Sequence, residues 1–286
     1  MFYRKLKYGI ILFLLALCLV LAGIIYFSEK NDNLKVIFLD IGQGDAILVS
    51  KGSYQMLIDG GQNGKLLLEK LGKYIPFWDR KIEVMVATHP DQDHIAGLVG
   101  VLEKYKVESI IKTQDKGSSQ TYKKFEEDIT DEKANNIDAM KNTIIDFSDG
   151  ALARVLYPFS ETGDVSDNGS NSESVVIKIN YGENSFLLAG DLPKDKELAL
   201  INSGEDISSK FLKVSHHGSK YSTGMDFLEK VNPIDAIISV GKNNSYGHPN
   251  AEILDRLKEK ISNILRTDEK GDIVYECRKD LVCRAN

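Results

Sequence analysis

Hydrophobic positions follow three different patterns along the 286 residues of the chain. From 8 to 27 they form an unbroken run of twenty residues without a charge, long enough to cross a bilayer as a helix. From 34 onward, short apolar runs bounded by Gly, Asn, Asp or Pro read as strands: 34–42 (LKVIFLDIG), 46–50, 55–61, 81–89, 107–113, 151–158, 174–181, 184–191, 210–216 and 235–241. Between them, apolar spacings of three and four mark helices at 64–75, with Leu66, Leu67, Leu71 and Ile75 in phase, and at 95–105, 194–202, 223–231 and 251–261. The polar stretch 114–142 predicts a solvated helix with loops, and 160–174 (SETGDVSDNGSNSES) is loop by composition. No internal repeat is visible. Leading strands with helices between them in both halves predict an α/β (α+β) domain over 34–286, built as two helix-covered sheets and joined by a polar linker at 28–33 to the apolar run.

The flank of that run decides its reading. Residues 1–7 carry Arg4, Lys5 and Lys7. A cleaved secretory peptide has an apolar region of about 7–15 residues, so twenty favours an uncleaved transmembrane signal anchor at 8–27. By the positive-inside rule the basic flank stays in the cytoplasm and the domain faces outward. Cys18 follows Leu17 rather than a small residue, which argues against lipidation. Cys277 and Cys283 could close a small loop as a disulfide in an oxidising compartment, although spacing alone does not fix their separation. Asn168, Gly169 and Ser170 fit a glycosylation acceptor, with no sign of a host that would use it.

A composition of 42% hydrophobic and 27% charged residues suits a large buried core. The formal charge is −6, and leaving out Arg4, Lys5 and Lys7 brings the outer part to about −9, which does not attract polyanions by itself. Cations held by carboxylates would make a cleft locally positive, so nucleic acid is not excluded as a substrate.

The candidate chemistry is concentrated. All five histidines fall in three segments: His89 and His94 in THPDQDHIAGL, His216 and His217 in KVSHHGSK, and His248 in YGHPN. Metal centres gather imidazoles and carboxylates in this way. In the first segment, His89 and Asp91 share a side if extended, and a following turn lets Asp93 and His94 splay toward a second cation. The bland alternative, a helix cap at Asp93 with bystander histidines, does not account for four candidate ligands in six residues. Asp191 ends the apolar strand FLLAGD, where it could bridge two cations, though by itself Gly-Asp is an ordinary strand-end turn. Of the adjacent pair His216 and His217, which point to opposite sides of a strand, one is expected to ligate.

This constellation resembles the metallo-β-lactamase superfamily, and most closely the extracytoplasmic domain of the competence protein ComEC and its stand-alone relatives. FLDIGQGDAILV, LIDGG, THPDQDHIAGL, NSESVVIKI, FLLAGDL, LKVSHHGSKYST and YGHPNAEIL carry the resemblance in order, across about 34–275. It implies an αββα sandwich with two divalent metal ions at the edge between the sheets. His89, Asp91, Asp93, His94 and Asp191 become ligands, with Asp191 bridging. His217 is favoured as the last ligand because it precedes Gly218, which leaves His216 near the substrate. Asp59 and Asn171 fall around the ligands, with Asp40, Gln43 and Asp45 supporting the site floor. Asp91 stands where the superfamily more often has histidine, and relatives often have two asparagines where this chain has Asn171 and Glu173. The carboxylate hardens the first site, so Mn²⁺ rivals Zn²⁺, and with no histidine between His94 and Asp191 one site needs water or His248 to complete it.

Two cations about 3.5–4 Å apart would activate a hydroxide and brace the oxygens of a phosphoryl displacement. The expected activity is therefore a membrane-anchored bacterial hydrolase of phosphodiesters, with DNA suggested by the competence resemblance. Asp93, His216 and His248 would join the catalysis, His248 as a proton donor, and Ser219, Lys220, Lys242 and Asn243 are candidate phosphate contacts or plain surface loop. Cell-envelope phosphodiesters such as phosphocholine or teichoic-acid links suit the same compartment. Acyl hydrolysis of the lactamase type usually asks for more imidazole ligands, and a scaffold with a decayed site does not explain why every cluster is retained.

Overall fold

The computed structural model describes residues 2–29, 33–159 and 171–286; the acceptor at 168–170 and most of the loop at 160–174 lie outside them. Helix α1 (Phe2–Glu29) is the one described helix long and apolar enough to cross a membrane. The remaining elements form two sheets of seven strands. The first runs β14-β1-β2-β3-β4-β5-β6, from β1 (Leu34–Phe38), β2 (Ile47–Lys51), β3 (Tyr54–Ile58), β4 (Lys81–Ala87), β5 (Lys106–Lys112), β6 (Asn135–Asp138) and β14 (Ile273–Cys277). The second runs β13-β12-β11-β10-β9-β8-β7, from β7 (Ile144–Asp146), β8 (Ala151–Tyr157), β9 (Val176–Tyr181), β10 (Asn184–Leu188), β11 (Phe211–Lys213), β12 (Asp235–Ile238) and β13 (Asn263–Arg266).

The strands read as continuous apolar runs because both faces of each sheet are covered, and their period of two sorts residues into separate cores. Val36, Phe38, Val49, Ile58, Val86, Ile177, Ile179, Phe186, Phe211 and Ile237 meet between the sheets. Their neighbours Ile37, Leu48, Leu57 and Met85 turn outward beneath α2 (Gly64–Tyr74), α3 (Gln92–Leu102) and α4 (Gln120–Glu132), with Leu67, Leu71, Leu98, Phe125 and Ile129 from the helices. Val176, Leu187, Leu212, Ala236 and Ile238 pack beneath α5 (Lys194–Asn202), α6 (Met225–Val231) and α7 (Ala251–Lys260) through Leu200, Phe227, Val231, Ile253 and Leu257. The result is the expected αββα sandwich. Each such buried side chain contributes about 1.5–3 kcal/mol, and truncating one between the sheets, such as Phe186, costs about 3–5 kcal/mol.

Several boundaries differ from the sequence expectation. The strand expected at 34–42 stops at Phe38 and that at 81–89 stops at Ala87, which releases Asp40, His89 and Asp91 into loops. The helix expected from 95 starts at Gln92, placing Asp93 and His94 in its first turn. The strand expected at 210–216 keeps only Phe211–Lys213, because His216 and His217 both adopt left-handed backbone (φ 51° and 54°) in a 3-10 turn. Strands β6, β7, β13 and β14 and the single turn α8 (Thr267–Lys270) had no counterpart in the hydrophobic pattern. Those edge strands are three to five residues long, and β6, β7 and β13 are largely solvated, so they carry little apolar signal.

Candidate metal centre

The clustered residues converge where the C-terminal ends of β3, β4, β10 and β11 meet at one edge of the sandwich. Asp59 follows β3 in left-handed backbone (φ 57°) and is fully buried. Its carboxylate accepts the Thr88 N–H at 2.8 Å and the Thr88 hydroxyl at 2.6 Å, and faces His94 Nδ1 at 2.7 Å. An acceptor there fixes the proton on Nδ1 and turns the Nε2 lone pair inward. His89 Nδ1 reaches the Thr88 hydroxyl oxygen at 3.0 Å, and His217 Nδ1 reaches the Ser239 carbonyl at 2.9 Å, with the same effect. The loop after β3 is laced to α3 by Gly60 N–H to His94 carbonyl at 2.7 Å and Gly97 N–H to Gly61 carbonyl at 2.9 Å. That approach needs glycine: a Cβ on Gly97 would sit 1.8 Å from the Gly60 carbonyl oxygen.

One oxygen lies at the focus. Asp191 Oδ2 is 3.4 Å from His94 Nε2, 3.4 Å from His217 Nε2, 3.8 Å from His216 Nε2 and 3.9 Å from His89 Nε2. His217 Nε2 also lies 3.5 Å from Asp93 Oδ2, and His89 Nε2 lies 3.7 Å from Asp91 Oδ2. The Nε2 atoms of His89, His94 and His217 are buried without a hydrogen-bond partner, and so is Asp191 Oδ1. Buried orphans of this kind are rare. These separations approach the about 3.3 Å between two donors on one tetrahedral cation with bonds of about 2.0–2.1 Å. The donor set therefore fits divalent metal: His89, His94 and Asp191 form one group, Asp93, His94 and His217 a second, and Asp191 with His217 and Asp45 a third.

The carboxylates around the imidazoles set their charge. Burial would discharge His94 and His217, but Asp191 outweighs it at both, with Asp59 at His94 and Asp45 at His217, so His94 stands well above the usual imidazole range and His217 rises to about 9. Burial and the neighbouring His94 push His89 well below that range. Asp191 is buried too, yet His217, His94 and Lys213 hold its carboxyl well below the usual carboxylate range. Lys213 is fully buried: its ammonium pairs with Asp45, donates to the Gly190 carbonyl at 2.9 Å and stands 3.5 Å from Asp191 Oδ1. It escaped the sequence reading, although a lone cation inside the apolar strand FLKV was a usable signal. Thr88 and Ser174 also escaped it, since hydroxyls beside ligands carry no pattern, and so did Ser239, which acts through its backbone carbonyl; the Ser174 hydroxyl accepts the Asp191 N–H at 3.0 Å.

The other candidate positions divide. Asp45 faces Lys213 and His217 inside the cluster. The Asn171 amide lies 3.4 Å from His216 Nδ1. His248 sits at the rim, its ring centre 5.8 Å from that of His216 and stacked on Tyr246 at 6.0 Å, and Pro249 closes over Gly218. Asp40 and Gln43 stand apart from the ligand groups: the Asp40 N–H donates to Asp272 at 3.0 Å, and Gln43 abuts Gly241. Ser219 is buried in the histidine turn, its N–H bonded to the His216 carbonyl at 2.8 Å. Lys220, Lys242 and Asn243 are exposed on the neighbouring loops.

Residues 39–242 match the metallo-beta-lactamase superfamily over most of the chain. The chain belongs to that superfamily. It is 32% identical over 282 residues to ComE operon protein 3 of Bacillus subtilis, covering 90% of this chain and 35% of the relative. It is 28% identical over 272 residues to Recombination protein 2 of Haemophilus influenzae, covering 93% and 31%. The chain thus spans about a third of the length of these curated relatives. Among solved structures it resembles PqqB of Methylobacterium extorquens with a TM-score of 0.53 at 12% identity, over 78% of this chain and 85% of that one, a likeness of fold. A third relative, Competence protein ComA of Neisseria gonorrhoeae, is 27% identical over 263 residues, covering 90% of this chain and 35% of the relative. A metallo-β-lactamase superfamily chain with such relatives and a clustered His/Asp centre is of the metal-dependent hydrolase class.

Proposed function

We propose that this chain is a membrane-anchored, extracytoplasmic metallohydrolase that cleaves phosphodiesters, with DNA as the first substrate to test. The observation that carries it is Asp191 Oδ2 faced by four imidazole Nε2 atoms, three of them buried without partners. His89, Asp91 and Asp191 would hold one divalent ion, and Asp93, His94, His217 and Asp191 the other. Zn²⁺ or Mn²⁺ there would supply Lewis acidity and a water made acidic enough to attack at neutral pH. Around it, Asp59, Thr88 and Ser239 fix the ring orientations, Lys213 holds Asp191 Oδ1 so that Oδ2 faces the histidines, and His216 and His248 stand on the open side, where a leaving oxygen would be protonated. Three carboxylates among the donors favour hard, phosphate-binding cations over an all-imidazole lactamase set. The relatives' names, with their reference to competence and recombination, point to DNA. Arg4, Lys5 and Lys7 at the start of α1 and the Cys277–Cys283 disulfide support an outward-facing domain.

The test is turnover by the full-length chain in detergent, stripped of metal and reloaded with Zn²⁺ or Mn²⁺. The substrates are single- and double-stranded DNA, an aryl phosphodiester, a phosphocholine ester and a lactam. Metal-dependent cleavage of DNA or of the aryl phosphodiester is expected, with Asp191→Asn reducing it by about 10²-fold or more. Undiminished turnover by Asp191→Asn would refute the bridging role. Cleavage of the phosphocholine ester alone would move the substrate to the envelope, and cleavage of the lactam alone would refute phosphoryl chemistry.

A further inference from the structure

Two exposed apolar pairs and the exit of α1 lie at the same end of the sandwich, the end opposite the metal cluster. Strand registers establish this. Leu34 at the start of β1 pairs with Cys277 at the end of β14, Lys35 pairs with Ser50, Lys51 with Tyr54, and Lys81 at the start of β4 with Lys106. The ligand-bearing loops instead leave the far ends of β3, β4, β10 and β11. Seven residues of β4 therefore separate the two ends, about 20 Å at the rise of an extended strand.

At this end Phe77 and Trp78, 78% and 58% exposed, project from the turn before β4 with their rings packed edge to face at 4.9 Å. The turn is pinned, because Asp79 accepts from the Gln55 amide at 3.1 Å and from the Lys81 N–H at 3.1 Å. Leu281 and Val282, 54% and 43% exposed, project from the loop closed by Cys277 and Cys283. That loop is also pinned: the Asn184 amide donates to the Arg278 and Leu281 carbonyls, each at 2.8 Å, and its oxygen accepts the Cys283 N–H at 2.8 Å. Exposed Arg80 and Arg284 lie beside the two pairs. At the opposite end, beside the metal cluster, the large exposed aromatics are Phe159, 38% exposed and packed on Tyr157, and the hydroxyl-bearing Tyr221 and Tyr246.

We infer that this end is a membrane-contact surface, in which Phe77, Trp78, Leu281 and Val282 enter the interfacial layer of the bilayer that α1 spans. The inference rests on the reading of α1 as an anchor. Lys30, Asn31 and Asp32 join Glu29 to Asn33, so the start of β1 at Leu34 lies within about 18 Å of the end of the helix even with the joint fully extended. In the strand order β14-β1-β2-β3-β4 the tether point lies between the two pairs, which are about 19 Å apart by strand spacing. A tether flanked by two apolar contacts fixes the tilt of a domain, where a tether alone leaves it free. Tryptophan and arginine are suited to the headgroup layer, because each combines an apolar body with a polar end. Seated this way, the domain holds its metal cluster at its outer end, open to substrates in the surrounding medium and not to lipid headgroups.

Trp78 is the one tryptophan of the chain, so its fluorescence reports on this surface alone. The full chain is reconstituted into phosphatidylethanolamine–phosphatidylglycerol vesicles with and without brominated acyl chains, and its flotation with the vesicles is followed in parallel. Expected are co-flotation, quenching of Trp78 by brominated lipid, and protection from iodide. The triple variant Phe77→Ser, Leu281→Ser and Val282→Ser should still float while losing the lipid quenching severalfold. Co-flotation with Trp78 open to iodide would overturn the surface and leave the anchor standing. Protection from iodide without quenching by brominated lipid would assign the surface to another protein copy instead. Failure to float would remove the anchor and this inference together.

Discussion

Lys213 is the residue on which the polar interior depends. A lysine with no exposure is costly to bury, and burial lowers its hold on the proton, but Asp45 and Asp191 outweigh that and raise it above the usual range. Removing one partner of such a pair strands the other charge, which costs about 3–5 kcal/mol. Lys213→Met is therefore expected to destabilise the fold by that amount in urea unfolding. The double variant Lys213→Met with Asp45→Leu should recover most of the loss, and a double variant no more stable than the single one would show that the pair is not the source. The ligands themselves were legible because their residue types cluster within a few positions. Lys213 and Asp45 were harder to read, since they meet only after two sheets have packed. Thr88 and Ser239 were illegible for the same reason: what they do is set by an imidazole brought in from elsewhere in the fold.

At the scale of elements, the joints around the cluster carry buried charge of their own. Glu197 on α5 accepts the Thr223 and Gly224 N–H groups at the start of α6, and burial pushes its carboxyl up to about 7 against those bonds. A carboxyl raised above its unfolded value of 4.5 favours the fold most below that pH, and the benefit fades as pH rises to about 7. Glu197→Gln removes the titration. The stability of the wild type relative to that variant should therefore fall by up to about 3 kcal/mol between pH 4.5 and 7, read from urea midpoints. A difference that stays flat across that range would place the carboxyl at its ordinary value. Elements with strong periodicity, such as α2 and the buried strands, were legible throughout. Their ends were not, because an end is set by a tertiary contact: the left-handed turn at His216 and His217 cuts a strand short where the apolar pattern would continue it.

For the whole molecule, the alternation of inward and outward apolar residues specified layers but not which strands would be neighbours. Sheet order depends on pairings between distant segments, and none is more distant than β1 with β14. The Cys277–Cys283 bridge closes a seven-residue loop at that seam, with Cα atoms 4.8 Å apart. By chain entropy a loop of this size is worth about 2 kcal/mol, so Cys277→Ser with Cys283→Ser should lower stability by about that much while metal content is unchanged. Loss of metal on that substitution would tie the seam to the cluster at the other end.

The β1–β14 pairing also makes the unit portable. Leu34 and Cys277 are register partners, so the segments that enter and leave the sandwich do so side by side on adjacent strands. A domain closed in this way can be spliced between two segments of another polypeptide without spreading them apart, and no connection to the remainder of a longer chain has to pass in front of its catalytic rim.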